Sequence, residues 1–190
     1  MLDFWNKILN IQGWMGDAEL FWLFDTVTNL QENSVIVEIG AWKGRSTAAL
    51  FGAAKNKTVI TIDTWLGQVG EILHKEALSK SLLSVFLSNM WSLGFRVKAF
   101  EGKFNGLYYL RDNSLSAVNY FNEGSIDMLF IDGDHTKVNK EIEVWSSKIK
   151  KGGIMCGHDY RAGWQGIDTA VDSIFTDKVI SRGFIWSVTL

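Results

Sequence analysis

The strongest constraint on the fold is the alternation of short apolar runs with longer helical patterns along the chain. Five of the runs are rich in β-branched residues and have the length of strands: 35–39, 58–63, 97–101, 126–132 and 154–158. Between them lie stretches whose apolar residues recur every three or four positions, as they do on one face of a helix. Strands that alternate with helices in this way form βαβ units, which predicts a mostly parallel sheet.

The intervals between the strands predict the helices, and the last two runs predict a hairpin. The predicted helices begin after a cap at Asp17, occupy 44–55, 78–90 and part of 105–122, and then cover 138–149 and 167–174. Only three residues separate the closing runs 178–180 and 184–188, a spacing typical of an antiparallel hairpin. We therefore predict a three-layer α/β/α sandwich whose mostly parallel, seven-stranded sheet ends in an antiparallel hairpin.

The chain length limits the number of domains. A chain of 190 residues suits one α/β domain with a sizeable core and leaves little room for a second. No linker, low-complexity tract or internal repeat divides the sequence. We expect a single domain over 1–190, with a helical segment at 1–32 and an α/β core at 33–190.

Charge and hydropathy argue against several classes of partner. The formal net charge is -2 and no basic cluster with interleaved aromatic residues is present, so no nucleic-acid partner is expected. No apolar run approaches the length that spans a bilayer, and the first 16 residues do not resemble a signal peptide, so no membrane partner is expected. The single cysteine, Cys156, excludes an internal disulfide and fits a cytoplasmic location.

Tryptophans crowd the start of the chain. Trp5, Trp14 and Trp22 lie within the first 22 residues. Internal packing or a subunit contact explains this clustering better than stacking on a substrate. We expect a homodimer built partly on this aromatic segment.

Carboxylates follow nearly every predicted strand. The acids Glu38, Asp63, Glu101, Asp132 and Asp159 all lie at or near strand ends. Ligands of parallel α/β sheets bind beyond the carboxyl ends of the strands, where the loops converge. A single acid at such a place can be a helix cap, but five in register predict a shared polar crevice.

The loop after the first strand has the features of a ligand loop. Gly40 and Gly44 allow a tight turn and a close approach of the backbone to a ligand at the next helix N-terminus. A dinucleotide fingerprint would need glycine where Trp42 stands, so a smaller, zwitterionic group fits better than a pyrophosphate. A purely structural turn remains the alternative.

The ends of the second and third strands favour a nucleoside. Asp63 stands where a carboxylate accepts hydrogen bonds from ribose hydroxyls, although a helix cap is the alternative. Trp65 can lie on an adenine ring or can equally be a core or surface residue. Gly102 and Lys103, after the third strand, are placed to flank the edge of the adenine.

Two of the three histidines follow neighbouring strands. His135 lies just beyond Asp132, and His158 precedes Asp159. Neighbouring strands bring these four residues together, and a histidine near its usual pKa of about 6.5 can accept a proton from a hydroxyl group. The third histidine, His74, is expected on a polar helix face.

These motifs resemble those of class I S-adenosylmethionine-dependent methyltransferases, and more narrowly the group of macrocin-type sugar O-methyltransferases and cephalosporin-hydroxylase-like proteins. The resemblance covers 13–186, and its most specific segments are VEIGAWKGRST at 37–47, IDTWLG at 62–67, DMLFIDGDH at 127–135 and KKGGIMCGHDY at 150–160. It implies a Rossmann-like fold. It also implies a cofactor site for S-adenosylmethionine made of Glu38, Gly40, Ala41, Trp42, Gly44, Ser46, Asp63, Thr64, Trp65, Gly102, Lys103 and Asp132.

The resemblance also implies a metal site, from which this chain departs at one position. Related enzymes bind magnesium through acids at positions that match Asp132, His158 and Asp159. Magnesium prefers oxygen ligands, so the histidine in the middle position leaves open manganese, or no metal at all.

We conclude from the sequence that the protein methylates a small-molecule substrate, most simply at a hydroxyl oxygen, with His135, Asp132 and Asp159 as the catalytic residues. Two other classes stay open: a cofactor-binding protein without catalysis, and a nicotinamide-dependent oxidoreductase on the same broad fold. A nitrogen or carbon acceptor also remains an alternative.

Overall fold

The computed structural model describes residues 2–67, 81–175 and 179–190. Its helices are α1 (Leu2–Asn10), α2 (Asp17–Asn29), α3 (Arg45–Ala53), α4 (Leu82–Ser92), α5 (Ser114–Ala117), α6 (Val138–Ser146) and α7 (Gln165–Ile174), with a 3-10 turn at Val118–Tyr120. Its strands are β1 (Val35–Ile39), β2 (Thr58–Asp63), β3 (Lys98–Ala99), β4 (Leu107–Arg111), β5 (Ile126–Ile131), β6 (Ile149–Gly157), β7 (Ile180–Arg182) and β8 (Ile185–Thr189). His74 and the start of the helix predicted at 78–90 lie outside the described residues.

The strands form one sheet in the order β3-β4-β2-β1-β5-β6-β8-β7. The pairs from β3 to β6 are all parallel, whereas β8 runs antiparallel to β6 and β7 antiparallel to β8. This confirms the predicted mostly parallel sheet with a C-terminal antiparallel hairpin. The count of seven strands was wrong, because the sheet has eight strands within the described residues.

The additional strand is β4, which lies inside the stretch predicted to contain a helix. Its residues alternate, with Tyr108 and Leu110 buried and their neighbours more exposed, and they pair in register with β2. That period of two is the signature of a strand, so the helix is confined to the short α5. Of the strand predicted at 97–101, only two residues form a strand, β3, which is exposed and lies at the edge of the sheet.

The core lies on both faces of the sheet. Along β1, Ile36 packs into the cluster beneath α1 to α4, whereas Val37 faces the cluster beneath α6 and α7. A central parallel strand is buried on both sides, which explains its continuous apolar run. The predicted three-layer arrangement is therefore confirmed.

The N-terminal segment is attached to the core through one arginine. The Arg45 guanidinium group donates hydrogen bonds to the main-chain oxygens of Ile11, Gly13 and Met15 at 2.6, 2.9 and 3.0 Å, and it also reaches Leu9. Trp5 is buried within this chain, so part of the aromatic segment serves internal packing. The homodimer stays a prediction.

Among the described residues, no helix has both the length and the apolar character needed to cross a membrane.

Candidate active site

A cavity of about 820 Å³ lies over the carboxyl ends of β1, β2, β4, β5 and β6. Its walls combine the loops after these strands with part of the N-terminal segment, residues 12–15. Its volume falls in the range of sites that hold a small ligand. The predicted polar crevice is thus present where parallel sheets bind their ligands.

The loop after β1 is shaped by its glycines. Gly40 has a φ of +89°, and a Cβ atom there would lie 2.1 Å from the main-chain oxygen of Asp132. Gly44 has a φ of +92° and begins α3. Only glycine allows the residues after β1 and β5 to approach so closely at this point, where the loop lines the cavity.

Glu38 lies beneath this loop and is fully buried. It accepts hydrogen bonds from the hydroxyl groups of Ser46, Thr47 and Thr61 at 2.6, 2.5 and 2.6 Å. Burial raises its pKa to about 7, and the three hydroxyl donors oppose that rise. Ser46 lines the cavity, but Glu38 does not, so Glu38 acts from within the core, where it joins the first turn of α3 to β2.

Asp63, at the end of β2, is bound to the same loop. One of its carboxylate oxygens accepts hydrogen bonds from the backbone amides of Ala41 and Trp42 at 2.9 and 2.8 Å. The other accepts from Trp65 at 2.7 Å. Burial raises the pKa of Asp63, and these amides oppose the rise. Asp63 lines the cavity together with Thr64, as predicted.

Trp65 is built into the wall rather than exposed for stacking. It is buried, packs against Phe86 with ring centroids 5.1 Å apart, and donates its indole hydrogen to the main-chain oxygen of Trp42 at 2.9 Å. Both tryptophans border the cavity.

The structure does not bring Gly102 and Lys103 to the cavity. Because β4 is the neighbour of β2, the residues that follow β4 take the place expected for them: Asp112, Asn113 and Ser114. The alternation of side chains with a period of two along 107–111 was the feature of the sequence that indicated a strand beside β2.

Four side chains converge at the ends of β5 and β6, as predicted. His158 Nδ1 lies 3.2 Å from Asp159 Oδ1 and 3.6 Å from Asp132 Oδ1. His135 Nε2 lies 2.9 Å from the other oxygen of Asp159. Asp159 has a φ of +62°, a conformation that aspartate tolerates better than most residues and that turns its carboxylate between the two imidazole rings.

Sequence reasoning missed a third acid at this cluster. His158 Nε2 lies 3.1 Å from Oε1 of Glu19, which also accepts a hydrogen bond from the backbone amide of Phe184 at 3.0 Å. The other oxygen, Oε2, accepts from the backbone amide of Gly16 at 2.8 Å. The cap of α2 is accordingly Gly16, with Glu19 closing the capping box, rather than Asp17. The spacing between Gly16 and Glu19 was the only feature of the sequence that indicated this cap.

The cluster is electrostatically coupled. Burial alone would lower the pKa of His158, but hydrogen bonds to Asp159 and Glu19 raise it to about 10. Burial raises the pKa of Asp132 to about 7, with His158 opposing the rise. The pKa of Asp159 lies well below its usual range, because hydrogen bonds from both histidines outweigh its burial.

Two exposed tryptophans complete the rim of the cavity, and sequence reasoning assigned neither to it. Trp14 is 68% exposed and stacks on Trp42 with ring centroids 4.3 Å apart. Trp164 is 47% exposed, and its ring centroid lies 4.2 Å from that of His135. The rim therefore offers planar apolar surfaces close to the histidine cluster.

Residues 37–160 match the family model of a methyltransferase domain. No curated protein sequence is significantly similar to the chain. Solved structures share the fold at low identity. An O-methyltransferase from Bacillus cereus in complex with S-adenosylhomocysteine is 16% identical with a TM-score of 0.67, over 99% of this chain and 91% of that one.

Two further structures are similar in the same way. The S-adenosylhomocysteine-bound methyltransferase PaMTH1 from Podospora anserina is 12% identical with a TM-score of 0.69, over 99% of this chain and 86% of that one. The O-methyltransferase TomG from Streptomyces achromogenes, in complex with S-adenosylmethionine, is 13% identical with a TM-score of 0.64, over 93% and 81%.

Proposed function

Because this chain belongs to the methyltransferase domain family, we propose that it transfers the methyl group of S-adenosylmethionine to a hydroxyl oxygen of a small molecule. The observation that carries the proposal is one continuous cavity. It joins the loop after β1 and Asp63 at one end to the His135–Asp159 pair at the other. A cofactor and an acceptor can therefore meet without leaving the same pocket.

The loop after β1 and Asp63 are suited to hold the cofactor. Backbone of Gly40 and Ala41 lines the cavity and can approach the methionine part of the ligand closely, next to the N-terminus of α3. Backbone amides already donate to the Asp63 carboxylate, which lines the cavity, and a ribose hydroxyl can share one of its oxygens because a carboxylate oxygen accepts more than one hydrogen bond.

His135 is suited to take the proton of the acceptor. Asp159 orients its ring and stabilises the charged form that appears when the proton arrives. The acceptor oxygen then forms its bond to the methyl carbon as the bond from that carbon to sulfur breaks, and the electron pair stays on sulfur. Holding the two reactants in line supplies much of the acceleration.

Asp132, His158 and Asp159 fit a divalent metal ion. One ligand atom from each lies within 4.8 Å of the others. Glu19 holds Nε2 of His158, the arrangement in which a carboxylate orients a metal-bound histidine. Nδ1 faces the two carboxylates and would give up its proton when an ion binds. Mixed nitrogen and oxygen donors suit manganese better than magnesium. When bound, such an ion would lower the pKa of the acceptor hydroxyl and orient it.

Calorimetry with S-adenosylhomocysteine tests the cofactor. We expect the wild-type protein to bind it in the micromolar range, about -8 kcal/mol. Asp63→Ala should weaken binding by about 1–3 kcal/mol, because it removes a charged acceptor. Glu143→Ala, an exposed change on α6, should leave it unaltered. Binding of a nicotinamide dinucleotide but not of S-adenosylhomocysteine would overturn the proposal in favour of an oxidoreductase.

Titration with Mn²⁺ in the presence of S-adenosylhomocysteine tests the metal site. The wild-type protein should bind one ion, and Asp159→Asn should weaken that binding at least about tenfold because a charged ligand is lost. Glu143→Gln provides the control for an exposed carboxylate. A wild-type protein that binds no Mn²⁺ would refute the metal site but leave the methyl transfer standing.

A further inference from the structure

The turn between β7 and β8 is linked to both of the residues that follow β6. The backbone amide of Phe184 donates a hydrogen bond to Oε1 of Glu19 at 3.0 Å, and its main-chain oxygen accepts one from the amide of Tyr160, also at 3.0 Å. Glu19 in turn holds His158, and Tyr160 directly follows Asp159. One residue of the turn is therefore connected to two of the three candidate metal ligands, by a different path to each.

The packing around Glu19 leaves this connection little freedom. Gly183 has a φ of +60°, and a Cβ atom there would lie 3.0 Å from both Cγ and Oε1 of Glu19. Glu19 is buried, and its second oxygen accepts a hydrogen bond from the amide of Gly16 at 2.8 Å. The carboxylate is thus fixed between α2 and the β7–β8 turn, and it cannot leave His158 unless one of these two elements moves.

The position of Glu19 determines which nitrogen of His158 faces the two aspartates. Nε2 lies 3.1 Å from Glu19, whereas Nδ1 lies 3.2 Å from Asp159 and 3.6 Å from Asp132. An imidazole ring without a partner at Nε2 is free to turn about its side-chain torsions, and most orientations take Nδ1 away from the carboxylates. Loss of the group behind a metal-bound histidine typically lowers ion affinity about 10- to 100-fold.

We infer that Glu19 is a positioning residue of the ion site and that it couples ion binding to the contact between the β7–β8 turn and α2. This step rests on the metal site of the proposed function. When the turn separates from α2, His158 loses its support, so the open form binds an ion less tightly than the closed form. By linkage, an ion at Asp132, His158 and Asp159 stabilises the closed form by the same factor. Glu19 and the turn both lie outside the matched segment 37–160, so the coupling involves parts of the chain beyond it.

Hydrogen exchange followed by mass spectrometry tests the coupling in the wild-type protein, without any substitution. S-adenosylhomocysteine is present throughout, and exchange is compared with and without saturating Mn²⁺. Peptides that contain the amides of Phe184 and Gly16, the two that donate to Glu19, should exchange about 10- to 100-fold more slowly with the ion, which is the factor by which ion affinity differs between the two forms. Peptides from α4, which has no link to Glu19, should exchange equally in both conditions.

Glu19→Gln tests the positioning role directly. An amide can donate to Nε2 as well as accept from it, so it no longer fixes the ring. Mn²⁺ affinity, measured by electron paramagnetic resonance at a temperature where the variant is folded, should fall about 10- to 100-fold, while S-adenosylhomocysteine affinity stays as in the wild type. Asp17→Asn, at an exposed acid on the same helix, should change neither affinity. A role confined to stability would lower the free energy of unfolding but leave the ion affinity of the folded protein unchanged.

The outcomes separate this inference from the proposed function. An unchanged Mn²⁺ affinity in folded Glu19→Gln, or wild-type exchange at Phe184 that the ion does not alter, overturns the inference and leaves the metal site standing. If Glu19→Gln does not fold, the wild-type exchange experiment decides alone. A wild-type protein that binds no Mn²⁺ overturns the metal site and the inference together, whereas the binding of S-adenosylhomocysteine tests the cofactor separately.

Discussion

Replacing Glu19 by alanine removes a carboxylate that three parts of the chain share. Its two oxygens accept hydrogen bonds from Gly16 in its own capping box, from Phe184 before β8, and from His158 at the end of β6. The side chains of Glu19 and His158 are only 9% and 5% exposed. The substitution therefore leaves Nε2 of His158 and two backbone amides without their acceptor.

The expected cost follows from the burial of the pair. Breaking a buried ion pair by removing one partner costs about 3–5 kcal/mol, because the remaining group keeps its desolvation penalty. For a chain of this size that corresponds to a fall in melting temperature of about 10 °C. Glu19→Gln loses the charge but keeps an acceptor for one of the two amides, so its cost should be smaller.

Urea unfolding followed by circular dichroism measures these costs. Glu143→Ala is the matched control, since Glu143 forms an exposed ion pair with Lys140 at 2.9 Å and should change the free energy of unfolding by less than about 0.5 kcal/mol. If Glu19→Ala costs no more than this control, the coupling between α2 and the histidine cluster does not exist.

Two further substitutions test the loop after β1. Gly40→Ala should abolish soluble expression or cost more than about 3 kcal/mol in thermal unfolding, because its Cβ would meet the main-chain oxygen of Asp132 at 2.1 Å; a near-neutral result would refute the close approach. Glu38 keeps its proton longer in the folded state, with a pKa of about 7 against 4.5, so its contribution to stability falls as pH rises from about 4.5 to about 7. The free energy of unfolding in urea should therefore differ between pH 5 and pH 8 by up to about 3 kcal/mol more in the wild-type protein than in Glu38→Gln, and equal differences would contradict the raised pKa.

The amino-acid sequence is sufficient to predict the fold and the groups at the strand ends. Apolar periodicity separates helices from strands, and a parallel sheet brings its strand ends to one edge, so Asp63, Asp132 and the two histidines are predicted to share one site. The methyltransferase prediction is confirmed by the family match over 37–160. The narrower resemblance to macrocin-type enzymes stays a prediction.

The errors have one physical origin, which is contact between residues far apart in the chain. Glu19 and His158 are separated by 139 positions, and no local pattern links them. The strand at 107–111 was not predicted, and the adenine edge was therefore expected at Gly102, because the order of strands in a sheet is set by tertiary pairing rather than by local propensity. The place of Trp14 on the cavity rim is likewise a tertiary property, since a tryptophan in the sequence does not indicate which surface it borders.

The attachment of the N-terminal segment through Arg45 bears on how this enzyme can change its substrate. Arg45 binds main-chain oxygens, which every residue carries. These hydrogen bonds therefore place little restriction on which side chains the segment carries. Gly13 is the exception, because a Cβ there would lie 2.8 Å from the arginine. Residues 12, 14 and 15 line the cavity and are otherwise unconstrained by this anchor. Substitutions at Gln12 and Trp14 can therefore change this wall of the pocket while Arg45 keeps the segment attached.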